Sequence, residues 1–98
     1  MKTFTNPDAA KARLEYVLWR VRRDRHTLDV YDFWLYGDWS VRKITGECAD
    51  YFIVRTPDSA AFVVTPDVEV VEDFIRKWAL RLIDAAEVAA ETAEAVPA

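Results

Sequence analysis

The first hydrophobic pattern along the chain has the spacing of an α-helix. Between residues 7 and 25, apolar side chains recur every three or four positions and share one face of a helical wheel: Ala10, Leu14, Val17, Leu18 and Val21. Asn6 can cap the free backbone amides at the start of this helix, and Pro7 suits its first position. We therefore predict a first helix from Pro7 to about Arg25, with this apolar stripe in the core.

Residues 28–45 are rich in β-branched and aromatic side chains, which is typical of strands. Gly37 suits the first central position of a two-residue type II′ hairpin loop. That loop predicts three facing pairs: Tyr36 with Trp39, Trp34 with Val41, and Asp32 with Lys43. A helix over residues 28–36, capped by Thr27, is the main alternative for this segment.

Two more strands are predicted on either side of the turn Pro57-Asp58-Ser59, with the sequences DYFIVRT (50–56) and AAFVVT (60–65). A final helix then opens at Thr65-Pro66-Asp67 and runs from about Pro66 towards Val96. Its predicted apolar stripe consists of Val71, Ile75, Trp78, Leu82, Ala86, Ala89 and Ala93.

The final helix is long for a chain of this size. About 30 helical residues span about 45 Å, whereas a domain of this length has a radius of gyration of about 13 Å. We expect its C-terminal end, from about residue 90, to fray or to project from the domain. The order of elements predicts a single α+β domain over residues 1–98, α-β-β-β-β-α, in which both helices cover one face of a four-stranded antiparallel meander.

Composition and charge narrow the class of protein. The chain has 98 residues, 52% of them hydrophobic, which is enough for one packed domain. Its net charge is −4, which counts against general nucleic-acid binding. The charge is uneven, with seven cations against three anions in residues 1–26 and three cations against eight anions in residues 66–98. No segment has the length and apolarity of a membrane span or a signal peptide, so we expect a cytoplasmic protein.

Few residues could carry catalysis or bind a metal. His26 and Cys48 are the only histidine and cysteine, so no Cys/His spacing predicts a zinc site. A Cys-His nucleophile pair would need these two residues to meet, and no motif around either supports it. Gly37 and Gly46 are both turn residues, which leaves no glycine-rich phosphate loop. We therefore predict a protein that is not an enzyme and that has no cofactor or metal.

Two surfaces have the residue types of a binding site. Residues 19–26 read WRVRRDRH, and the helical wheel places Tyr16, Trp19, Arg20 and Arg23 opposite the apolar stripe. Tyrosine, tryptophan and arginine are enriched in the hot spots of protein interfaces. The alternative is that the second helix or the chain ends cover this side. In the hairpin, Trp34, Tyr36 and Trp39 are predicted on the sheet face that the helices leave open, a candidate partner or homodimer surface.

These features together predict a small protein-binding module that occupies a partner's surface, as an inhibitor or adaptor. In style the chain resembles the small acidic accessory proteins of bacteriophages, including those that block host defences, although it carries no family motif. One alternative is nucleic-acid binding through the arginine-rich first helix, which predicts affinity that falls steeply with salt. The other is a structural subunit of a homo-oligomer that associates through the open sheet face or the C-terminal helix.

Overall fold

The computed structural model describes residues 7–95, which form two helices and a four-stranded sheet. In chain order the elements are α1 (Pro7–Arg23), β1 (Val30–Trp34), β2 (Asp38–Thr45), β3 (Asp50–Arg55), β4 (Phe62–Thr65) and α2 (Val68–Ala95), with a 3-10 turn at Pro57–Ser59. All neighbouring strands are antiparallel, and they lie side by side in the order β1-β2-β3-β4. The predicted α+β class and order of elements are confirmed, and the helical alternative for residues 28–36 is excluded.

Both helices pack on one face of the sheet, and the core lies between them and the strands. All five residues of the predicted α1 stripe are buried there. The sheet contributes Tyr31, Phe33, Leu35, Trp39, Val41, Phe52 and Val54, and α2 contributes Val71, Ile75, Ala79 and Ile83. The buried strand residues alternate along the chain, as expected for a sheet with one covered face. Complete burial of a side chain such as Ile75 stabilises the fold by about 1.5–3 kcal/mol.

The predicted register of the first hairpin is wrong. Trp34 faces Asp38 rather than Val41, and the loop between the strands contains three residues instead of two. Tyr36 and Gly37 both have positive φ, at 55° and 134°. A left-handed tyrosine costs roughly 1–2 kcal/mol. That cost is outweighed because the observed register buries two large side chains, Leu35 and Trp39, in the core.

A shift by an odd number of residues moves each side chain of a strand to the other face of the sheet. Trp39 therefore lies in the core, 1% exposed, where its Nε1 donates a hydrogen bond to the Leu35 carbonyl at 3.0 Å. The predicted pair of Asp32 with Lys43 does not form, since Asp32 faces Ser40. Lys43 instead donates a hydrogen bond to the carbonyl of His26 at 3.1 Å.

The helix ends differ slightly from the predicted ones. The predicted Asn6 cap lies outside the described residues. α1 ends at Arg23 because the chain then turns, and the Leu28 amide donates to the Asp24 carbonyl at 2.7 Å. At the start of α2, Thr65 Oγ1 accepts a hydrogen bond from the Asp67 amide at 3.1 Å. This turn places the first helical residue at Val68, two positions after the predicted start.

α2 packs along a seam that differs from the predicted stripe. Val71, Ile75, Ala79 and Ile83 are fully buried, whereas Trp78, Leu82 and Ala86 are half-buried and Ala89 is exposed. Ala93 lies outside the part of the chain whose side chains are described. The 28 residues of α2 span about 42 Å, and side chains 88–90 are exposed. The helix thus projects past the sheet, and the fold measures 61 × 23 × 23 Å. Neither helix is long and apolar enough to cross a membrane, as far as residues 7–95 are concerned.

Candidate functional site

The side of α1 opposite its core stripe carries an aromatic and arginine cluster, here called the α1 patch: Tyr16, Trp19, Arg20 and Arg23. Tyr16 is 45% exposed and Trp19 is 53% exposed. Within residues 7–95, α2 therefore does not cover these rings, contrary to one half of the alternative considered from the sequence; the other half concerns the chain ends, which lie outside the described residues. Single exposed apolar side chains are common in proteins, but here two exposed aromatic side chains lie together, which is typical of a contact surface.

The side chains of the α1 patch are ordered by contacts with one another. The rings of Tyr16 and Trp19 lie 5.9 Å apart between centroids and are tilted by 38°. The guanidinium carbon of Arg23 lies 4.5 Å from the Trp19 ring centroid, a cation–π contact. Arg23 also donates two hydrogen bonds to Asp24, at 2.9 and 3.1 Å. Because these contacts already hold the side chains, less side-chain entropy is lost when a partner binds.

The arginines of residues 19–26 are largely engaged with groups of the protein itself. Arg22 forms a two-point ion pair with Glu72 of α2, with N···O distances of 2.7 and 2.8 Å. Arg25 donates a hydrogen bond to the Arg22 carbonyl at 2.8 Å. Arg20 Nε lies 3.7 Å from an Asp24 carboxylate oxygen, an i, i+4 ion pair. All four arginines of this segment are therefore engaged, but only two carboxylates offset their charge, so the segment keeps part of its positive charge in the folded protein.

These pairs shift the ionisation of the groups involved. The hydrogen bonds from Arg23 lower the pKa of the Asp24 carboxyl, and the nearby charge of Arg20 acts in the same direction. The hydrogen bond to Glu72 raises the pKa of Arg22. The Asp24 carboxyl and the Arg22 guanidinium are therefore charged near neutral pH, and ion pairs lie beside the aromatic rings of the α1 patch.

A groove of about 260 Å³ runs beside the α1 patch, between the two helices. Trp19 and Leu18 supply its apolar wall, and Arg22 and Glu72 lie at its α2 side. Aromatic anchors beside a shallow groove are a common arrangement at the centre of protein interfaces. The groove extends the α1 patch towards α2.

The three hairpin aromatics predicted as contact residues lie in different environments. Trp34 is half-buried, and its ring centroid lies 6.1 Å from that of Tyr36. Tyr36 packs against the core, and burial raises the pKa of its phenol. Trp39 stacks on Phe33 inside the core, with 5.6 Å between centroids. Its prediction as a partner-binding residue is wrong, because the true register turns its ring inwards.

The face of the sheet away from the helices, here called the open sheet face, carries exposed apolar side chains together with the charged side chains of Asp32, Arg42 and Arg55. Its exposed large hydrophobic residues are Val30, Ile44, Tyr51, Phe62 and Val64. Phe62, on the edge strand β4, is 69% exposed. Sequence reasoning named hairpin residues for this face and missed Phe62 and Val64, although their alternation with Val63 and Thr65 in β4 could have revealed them.

A cleft of about 370 Å³ lies near the start of α2 and is lined partly by His26, Lys43 and Asp50. Cys48 is exposed and does not line it. Lys43 Nζ lies 3.5 Å from the Asp50 carboxylate, and the two side chains form an ion pair. Among the described residues no group of three or more His, Cys, Asp or Glu side chains is placed to hold a metal ion.

In comparisons with known proteins, no family model, no curated protein and no solved structure matches the chain.

Proposed function

We propose that the protein is a non-enzymatic protein-binding module that acts by covering a partner's surface, as an inhibitor or an adaptor. The observation that supports this function is the state of Trp19, which is more than half exposed yet held under Arg23 and beside Tyr16. A ring in this state can be buried by a partner without first being ordered. We place this activity in the cytoplasm, where a free cysteine such as Cys48 stays reduced.

The pairing of the arginines favours a protein partner over a nucleic acid. A phosphate-binding surface needs free cations, because its affinity comes from the release of counterions. Here Arg22 and Arg23 each make a two-point contact with a carboxylate. A nucleic acid would have to compete with Glu72 and Asp24 for these guanidiniums, against a net protein charge of −4.

The test is capture of partners from an extract of the protein's own cells, with three immobilised forms compared by mass spectrometry. These are the wild type, the patch variant Trp19→Ala/Arg23→Ala, and a matched control, Tyr51→Ala/Arg42→Ala, which removes a tyrosine and an arginine from the opposite side of the molecule. Circular dichroism confirms that each form is folded.

The wild type and the control should retain the same protein, and the patch variant should lose it. If a folded patch variant retains every protein that the wild type retains, the α1 patch is not the binding site. Loss of the protein from the control alone would assign binding to the open sheet face instead.

Self-association is the second candidate function. It is supported by the exposure of Phe62 and Val64 on an edge strand that carries no charged residue between Phe62 and Thr65. Natural edge strands usually carry charges that prevent pairing with another sheet. An edge strand without charged residues that exposes two apolar side chains is suited to a contact between two copies of the chain.

A further inference from the structure

A buried hydroxyl beside the α1 patch lacks a hydrogen-bond partner. Tyr31 of β1 is 8% exposed, and its Oη is fully buried and forms no hydrogen bond of ordinary geometry among the described residues, although the Arg20 side chain lies near enough to interact with it. Nearly all buried polar groups in proteins are paired, so an unpaired one calls for an explanation. Burial raises the pKa of this phenol, so the group remains a neutral hydroxyl that can donate a hydrogen bond.

The groups around this hydroxyl are hydrogen-bond donors. The guanidinium carbon of Arg20 lies 4.5 Å from the Tyr31 ring centroid. Arg13 lies within electrostatic range of the Tyr31 hydroxyl, and its guanidinium carbon lies 5.6 Å from the Tyr16 ring centroid. Arg13 forms no ion pair with any residue of the described part of the chain. The carboxylate nearest to Arg20, that of Asp24, is held more closely by Arg23.

We propose that Arg13, Arg20 and the Tyr31 hydroxyl form a subsite for the carboxylate of an aspartate or glutamate side chain on the bound protein. The proposal rests on the protein-binding function proposed for the α1 patch and names the chemistry of its partner. A carboxylate supplies only acceptors, which matches a cluster that supplies donors. Tyr16 contacts both Trp19 of the α1 patch and Arg13 of the proposed subsite. A partner that covers Tyr16 and Trp19 can therefore extend an acidic side chain to Arg13 and Arg20.

The surrounding charges favour a carboxylate over a phosphate. A pocket of about 210 Å³ beside Tyr31 and Arg20 is also lined by Asp24 and Asp29. Arg13 does not line this pocket. The two carboxylates of the pocket repel any anion, and they repel a group with two negative charges more strongly than a group with one. The Arg20 side chain is 42% exposed, so a rotamer change can uncover the hydroxyl when the ligand arrives.

The first experiment titrates isotope-labelled protein with N-acetylglutamate amide and follows the arginine Nε–H signals by NMR. N-acetylglutamine amide has the same shape without the charge, and inorganic phosphate tests the other anion. Arg81 is the internal control, because its guanidinium carbon lies 4.7 Å from the Trp78 ring without a buried hydroxyl nearby. The glutamate probe should shift the signals of Arg13 and Arg20 more than that of Arg81, and the glutamine probe should shift none of them. Equal shifts at Arg81, or a stronger response to phosphate, would overturn the proposal.

The second experiment repeats the titration on Tyr31→Phe, which removes only the hydroxyl. We expect the glutamate probe to bind at least about tenfold more weakly, because a hydrogen bond to a charged acceptor is lost. A purely structural hydroxyl predicts unchanged binding, and that result would contradict the subsite. Thermal unfolding should show that Tyr31→Phe is at least as stable as the wild type, since a buried unpaired group has been removed.

The subsite and the proposed function can fail separately. If Trp19→Ala/Arg23→Ala loses a captured partner while Tyr31→Phe and Arg13→Gln bind it normally, the binding function stands and the carboxylate subsite is wrong. If no partner is captured by the α1 patch, the titration with the glutamate probe still decides whether the cluster binds a carboxylate.

Discussion

Arg22 and Glu72 lie 50 residues apart in the chain and form a two-point ion pair that joins the end of α1 to the start of α2. The Glu72 carboxylate is almost entirely buried, with its residue 7% exposed, whereas Arg22 extends towards solvent. The pair orients the two helices and removes one cation from the basic segment of α1. It therefore links the packing of the core to the electrostatic character of the α1 patch.

Replacement of Glu72 should destabilise the protein and change the surface charge of α1. We expect Glu72→Ala to lower the midpoint of thermal unfolding by a few degrees, because a bidentate, partly buried contact is lost. Asp84→Ala, at an exposed position in the middle of α2 away from Arg22, is the control for the change in charge. If the two variants unfold at the same temperature, the ion pair does not contribute to the stability of the fold.

The variant Glu72→Ala also tests the nucleic-acid alternative. It releases Arg22, so any binding of single-stranded DNA should become stronger and more dependent on salt than in the wild type. Fluorescence anisotropy at low and moderate salt measures this effect. Strong, salt-dependent binding by the wild type itself would show that the internal ion pairs do not suppress phosphate binding.

Gly37 and Pro57 are packed so closely that no residue larger than glycine fits at position 37 without a shift. A Cβ atom at Gly37 would lie 2.5 Å from Pro57 Cβ, and the φ of Gly37 is 134°. We expect Gly37→Ala to destabilise the fold by at least about 2 kcal/mol, from backbone strain together with the steric clash. Chemical denaturation measures the change in the free energy of unfolding.

A double-mutant cycle with Pro57→Gly, which removes the Cβ atom that a side chain at position 37 would meet, separates the two causes. The second substitution should recover the part of the loss that comes from the clash and leave the part that comes from the positive φ. Equal stability of Gly37→Ala and the wild type would show that the hairpin loop can adopt another conformation.

The pair of Arg23 with Asp24 predicts a dependence of stability on pH. Since hydrogen bonding to Arg23 lowers the pKa of Asp24 in the folded state, the stabilisation is complete above the unfolded-state pKa of about 3.9. It is lost as the pH falls through the lower pKa of the folded state. Asp24→Asn should therefore be less stable than the wild type at neutral pH, and the difference should disappear in acid.

Urea denaturation of both proteins from about pH 7 to about pH 2.5 covers this range. Asp84→Asn, an exposed change of the same type on α2, is the control. Because Asp24 and its partners lie at the surface, the effect should also become smaller at high salt. A difference between Asp24→Asn and the wild type that stays constant down to the lowest pH would contradict the assignment.

The open sheet face predicts self-association at high concentration. Sedimentation velocity should show a dimer of the wild type at high micromolar concentration, and Phe62→Lys should remain a monomer, because a charge on the edge strand opposes pairing. Val88→Lys changes an equally exposed apolar residue on the projecting part of α2 and serves as the control. A wild type that stays monomeric at these concentrations would exclude the homo-oligomer function.

The helices and strands could be predicted from the sequence because their signals are local. The five apolar residues of α1 have the helical spacing, and all of them are buried. In β1, the buried Tyr31 and Phe33 alternate with the exposed Val30 and Asp32. Each of these patterns depends on neighbours within a few positions, where backbone geometry alone decides which side chains share a face.

The hairpin register could not be predicted in the same way. Local turn chemistry favoured a two-residue loop at Gly37, but the observed loop accepts a left-handed Tyr36. The gain that decides between them is the burial of Leu35 and Trp39 beneath two helices. That gain depends on the shape of the whole core, which no short segment contains.

For the α1 patch, the sequence by itself determined which residue types share the outer side of the helix: Tyr16, Trp19, Arg20 and Arg23. Only the tertiary structure decided that Trp19 remains exposed, that Glu72 pairs with Arg22, and that Tyr31 comes to lie beneath Arg20. The physical reason is distance along the chain. Helical periodicity is a property of adjacent turns, whereas ion pairing and burial depend on residues that only folding brings together.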